Sequence, residues 1–197
     1  WRFEGWVIQT PNNPAKKVVI AFHGFDRRAS EMENFMSFYD NDTGMLSVNL
    51  LHHGESGPVG DLHLYSMLEP EILLNSLIKK VQTEFGKNVE QLELLGYSMG
   101  SRICFKLLTE RTVDFSRIIV LAPDGLRKGL MYKFVVNTRF GRFCWSLVDR
   151  FPKTNRSIVD ALYKVGVISE HRHHFGRYHT DSHEIRKRVA YGWAAHK

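Results

Sequence analysis

Cysteine is scarce in this 197-residue chain. Two of them, Cys104 and Cys144, cannot build a disulfide framework, which argues against a small stapled domain and makes a reducing, cytoplasmic setting the default. Long apolar runs are missing too. None approaches the roughly 18 residues that a membrane-crossing helix needs, so the chain reads as soluble. No basic and then apolar leader opens it, which gives no sign of secretion, although it begins at Trp1 rather than at a methionine. Internal repeats and low-complexity linkers are absent, which excludes a solenoid or a tethered array. The length suits one domain, with room for an inserted subdomain.

Acidic residues become rare towards the end. Residues 125–197 hold 15 Lys/Arg against 5 Asp/Glu, whereas residues 1–124 hold 12 against 16, so the net +6 divides into +10 and −4. A basic last third favours an anionic partner: an anionic lipid surface, a phosphate- or carboxylate-bearing substrate, or an acidic protein. A merely solvated basic face is the alternative. No nucleic-acid reading motif accompanies the charge, so no nucleic-acid partner is expected.

What is present is an alternation of strand and helix signals. Residues Trp1 to Thr10 alternate loosely as an edge strand. Lys17 to Phe22 is a continuous apolar strand, as in a sheet covered on both faces. Ser30, with Glu33 three residues on, predicts a helix N-cap, and Met32, Phe35, Met36 and Tyr39 follow at helical spacing. Met45 to Leu51 is the next strand. Pro70 opens a helix that Gly86 stops, Leu92 to Leu95 is a strand, Arg102 to Thr109 a helix, and Arg117 to Ala122 a fourth apolar run. The fold class is therefore α/β, a mostly parallel sheet flanked by helices.

The chain is organised around Gly96-Tyr97-Ser98-Met99-Gly100, where an apolar strand stops and a helix begins. A serine hydroxyl attacks an acyl carbon only if it stands clear of its neighbours. A sharp strand-to-helix turn provides that, and large side chains at 96 and 100 would collide with the returning helix. The helix start also presents the Met99 N–H, a donor for a negative oxygen in a transition state. Ser98 is the candidate nucleophile; an ordinary strand-to-helix turn is the alternative.

Together these segments resemble the α/β-hydrolase family over residues 1 to about 125. His23-Gly24-Phe25 is similar to its oxyanion-loop motif, which implies that the Phe25 N–H joins that of Met99. His53-Gly54-Glu55-Ser56 resembles its G-H-G-x-S turn, with His52 where that motif has its first glycine. Ala122-Pro123 resembles the strand end that leads into a cap. The resemblance implies a core over residues 1–125 and a helical basic cap or lid over 126–197, where Tyr132, Phe134, Phe140, Phe143 and Trp145 alternate with arginines and lysines. It also implies a serine, acid, histidine triad in that order, carried on two further strands that residues 126–197 do not show. Asp124 is the best local substitute for the acid. For the base, His171, His173, His174, His179, His183 and His196 stay open, with solvated loop histidines as the alternative. His179 and His183 would share a helix face, but without a third ligand they make no metal site, and neither metal nor cofactor is expected. His23, His52 and His53 are expected to shape turns. The implied activity is hydrolysis of a small-molecule ester or thioester; the alternative is an inactive scaffold that binds through its basic cap.

Overall fold

The computed structural model describes residues 1–11, 15–61, 63, 67–110, 112–123, 130–192 and 194. Asp124 and His196 lie outside the described residues. The chain divides into two compact units, Trp1–Arg127 and Lys128–Ala194.

The first unit is a five-stranded sheet of β1 (Val7–Gln9), β2 (Lys17–Phe22), β3 (Thr43–Val48), β4 (Gln91–Tyr97) and β5 (Arg117–Leu121), in the order β1-β3-β2-β4-β5. Only β1 runs antiparallel. The central strands read as apolar runs because both faces are covered; Val18 to Phe22 are completely buried. One face packs Val19, Ala21, Met45 and Leu95 against Met32 and Phe35 of a 3₁₀ helix, Ala29–Phe38. Against the other lie α1 (Pro70–Phe85) and α2 (Gly100–Leu107). Winding reverses between β2 and β4. From β2 the chain steps out to β3, then returns through α1 to β4 on the opposite side of β2. The crevice outside the carboxyl ends of two such strands is where open α/β sheets bind ligands.

Three sequence expectations for this unit need correction. The edge strand is three residues long rather than running from Trp1 to Thr10, and β3 ends at Val48, with Leu50 and Leu51 in the following turn. The helix after β2 is 3₁₀ and is capped at Arg28, not at Ser30. Two remote or local acceptors decide that start: Glu31 takes the Arg28 N–H at 2.9 Å, and the Asn49 amide oxygen takes the Ala29 N–H at 2.9 Å.

The second unit is helical: α3 (Leu130–Asn137), α4 (Arg139–Arg150), α5 (Pro152–Lys164), α6 (Glu170–His179) and α7 (His183–Lys187), with a π turn over Arg188–Gly192. Thr138, Ser169 and Ser182 cap α4, α6 and α7 with their hydroxyl oxygens. Its internal fastener is Arg186, nearly buried, which donates to Asp149 at 2.7 Å and to Thr180 O at 2.9 Å. Burial pushes the Asp149 carboxyl up, but hydrogen bonds from Arg186 and His183 outweigh it and hold the group below its ordinary value. A carboxyl with a depressed folded value contributes stability above its unfolded value, about 4, and loses it as the pH falls further. Acid titration followed by far-UV circular dichroism is expected to show helix lost below about pH 4. Asp149→Asn should flatten that limb.

Candidate active site

The site is built where β4 meets α2. Ser98 sits in the left-handed region, with φ of 50°, and its N–H donates to Leu121 O at 2.8 Å, which ties the turn to the end of β5. A non-glycine residue held there is strained by roughly 1–3 kcal/mol, and strain of this kind clusters where chemistry needs it. The turn is tight because α2 comes straight back over the strands. A Cβ on Gly100 would stand 2.1 Å from Phe22 O, and one on Gly96 would stand 2.7 Å from Ser101 Cα. Ser101 Oγ donates to Gly96 O at 3.1 Å and closes the bend from within. Behind it, Cys104 is fully buried, and desolvation pushes its thiol up to about 12.

Opposite the turn is the loop after β2. Gly24 presses on it, since a Cβ there would lie 3.0 Å from the Tyr97 ring and 3.3 Å from Ser98 Cβ. The backbone of Gly24 is thus held beside the serine. Two imidazoles pin this loop from below. Leu50 N–H donates to His23 Nε2 at 2.9 Å, so the His23 proton is on Nδ1, which donates to Gly24 O at 2.7 Å. In the same way Asp26 N–H donates to His53 Nε2 at 3.1 Å, and His53 Nδ1 donates to Leu51 O at 3.2 Å. Their rings meet edge to face at 5.1 Å. Both are turn-shaping residues, as expected, with the neutral tautomer fixed by backbone donors. His52 adopts φ of 64°, the left-handed conformation that a glycine at that motif position would take without strain.

A cavity of about 260 Å³ opens beside the turn, lined by His23, Gly24, Arg27, Met32, Phe35 and Tyr97 among others. The sequence reading missed Phe35 and Tyr97 as lining residues. Tyr97 could have been found from the strand alternation, which puts it on the same face as Leu95.

The late histidines belong to helices of the second unit rather than to loops. His171, His173, His174 and His179 lie on α6, and His183 opens α7, so His179 and His183 do not share a helix face. His173 Nε2 pairs with Asp160 at 2.7 Å and stacks on Tyr163, while His183 Nδ1 pairs with Asp149 at 2.9 Å. Asp160 is held below its ordinary value by the His173 hydrogen bond and then by Arg177. Among the described residues, no group of three or more His, Cys, Asp or Glu side chains is placed to hold a metal ion.

A sharp strand-to-helix turn at the switch point of a five-stranded, mostly parallel sheet is the arrangement of the α/β-hydrolase fold, and this chain has that fold. Solved structures agree at the level of the fold. MenH from S. aureus matches with a TM-score of 0.53 and 16% identity over 95% of this chain and 70% of its own. MGS-M2, an α/β hydrolase enzyme from a Medee basin deep-sea metagenome library, matches at 0.56 and 12% over 98% and 69%. The epoxide hydrolase CorEH matches at 0.54 and 16% over 97% and 68%. The chain thus spans about 70% of the length of such proteins, and among the described residues no strand follows β5. No protein-family model matches the sequence, and neither does any curated protein.

Proposed function

We propose that this protein is a serine hydrolase that cleaves an ester or thioester through an acyl-enzyme on Ser98. The observation that carries the reading is the left-handed Ser98 in a bend with no room for a side chain at 96 or 100. In this reading the Ser98 hydroxyl oxygen attacks the substrate carbonyl and loses its proton to a base, and the oxyanion accepts hydrogen bonds from the Phe25 and Met99 N–H groups. Collapse expels the alcohol or thiol, and water then releases the acid. Each oxyanion donor is expected to lower the barrier by about 3 kcal/mol. Asp124 is the candidate for the acid, and the residues from 126 on act as a lid. A medium or long acyl substrate, with or without an anionic head, fits the basic and aromatic composition of that region.

A second reading, an inactive hydrolase-fold scaffold, is favoured by one observation. His23 and His53, the imidazoles that pin the loop opposite the serine turn, have both ring nitrogens engaged with backbone groups. Intact mass after reaction with a fluorophosphonate separates the two. The hydrolase reading expects one adduct per chain, absent in Ser98→Ala; no adduct on the folded protein would sink it. Nitrophenyl esters of rising chain length then rank the acyl preference.

A further inference from the structure

Helix α4 carries apolar residues on two opposed sides. Gly141 and Trp145 face into the second unit, where Trp145 Nε1 donates to Arg186 O at 3.1 Å. On the other side Phe140, Phe143, Leu147 and Phe151 recur at spacings of three and four. At 100° per residue Phe140, Phe143 and Leu147 fall within an arc of about 60°, and Phe151 follows as the residue that caps the helix. They are 66%, 58%, 41% and 52% exposed. Phe134 of α3 meets Phe140 edge to face at 6.0 Å and widens the stripe. Scattered exposed apolar residues need no explanation, but a contiguous aromatic stripe along three turns does.

The exposed charges on residues 130–151 have one sign. Lys133, Arg139 and Arg150 are exposed, and the Arg150 guanidinium lies 5.9 Å from the centre of the Phe151 ring. Asp149 is the one acid between residues 130 and 151, and its carboxylate is engaged by Arg186 and His183 within the unit. Residues 130–151 therefore present rings and cations and no unengaged carboxylate.

We propose that this face of α4 docks the protein on an anionic lipid surface, with the helix lying flat in the headgroup layer. Twelve residues of helix span about 18 Å, too short to cross a bilayer, and no described helix is long and apolar enough to do so. Lying flat, α4 sinks its phenylalanine rings to the acyl boundary, while the arginine and lysine stems reach back to lipid phosphates. Such a surface satisfies the patch without the shape complementarity that a protein partner would have to supply. The docking is independent of the chemistry assigned to Ser98.

The test is sedimentation of the full chain with vesicles of phosphatidylcholine alone or mixed with phosphatidylglycerol. Binding is expected on the mixed vesicles and to weaken steeply as salt is raised. Phe140→Ser with Phe143→Ser should reduce it by about tenfold or more. Arg139→Gln with Arg150→Gln, a surface change that leaves packing intact, should reduce it several-fold, and only on anionic vesicles. Ser98→Ala should bind as the unchanged protein does. Absence of binding, equal binding to neutral vesicles, or indifference to both double substitutions would overturn the proposal. So would a fall in thermal midpoint without vesicle binding, which would mean that the stripe serves the folding of the chain itself. A dimer that the phenylalanine substitutions dissociate, with no vesicle binding, would assign the stripe to a second copy instead.

Discussion

Replacing Ser98 by glycine is expected to abolish ester hydrolysis and, in the same variant, to make the protein more stable. Under the proposed hydrolase reading the loss should be at least about 10⁴-fold in kcat, leaving only the residual effect of the proposed oxyanion donors and of binding. The gain comes from the backbone. At φ of 50° a side chain crowds its own peptide groups, and glycine removes that crowding. A rise of about 1 kcal/mol in urea unfolding is expected for Ser98→Gly, partly offset by the greater freedom of glycine in the unfolded chain. Ser98→Ala, which keeps the crowding and loses the hydroxyl, should be equally inactive and no more stable than the starting protein. A serine held there only as a turn residue would give the same stability order with no activity to lose, so the pair of measurements separates strain from chemistry.

A large loss of stability is expected at Gly100. A Cβ at this position meets Phe22 O at 2.1 Å, Phe22 C at 2.6 Å and His23 O at 2.8 Å. All three are backbone atoms of the central strand and the loop after it, and cannot swing aside as a side-chain tip would. Gly100→Ala should therefore cost about 3 kcal/mol or more, the upper end of overpacking effects. Gly57→Ala is the control, because a Cβ there meets nothing within 4 Å. If the two variants unfold at the same urea concentration, α2 does not cross β2 as closely as described.

The sheet was legible because burial on both faces writes itself as uninterrupted apolar runs. Lys17 to Phe22 is the clearest case, and the glycines of the serine turn mark where helix and strand come too close for anything larger. The helix that follows β2 differs at its start, since one of the two acceptors that decide it is Asn49, twenty residues away in sequence. No local pattern contains that bond. Helix α6 was missed for the opposite reason. It buries none of its residues fully, so Glu170 to His179 shows no apolar stripe, and its histidines read as loop residues. The signals that could have located it were its caps, Ser169 before the helix and Ser182 before the next. The partner of His173, Asp160, comes from α5 and is invisible to spacing.

Cys104 gives the first unit a chemical silence of its own. It is the single cysteine before residue 144, and burial pushes its thiol up to about 12, so that it stays protonated at neutral pH. Oxidants and soft electrophiles that act on thiolates therefore find almost nothing to react with beneath the serine turn. An acylating or phosphonylating reagent that modifies this unit under mild conditions meets no competing sulfur, and a thiol-directed reagent leaves the strained bend as it found it.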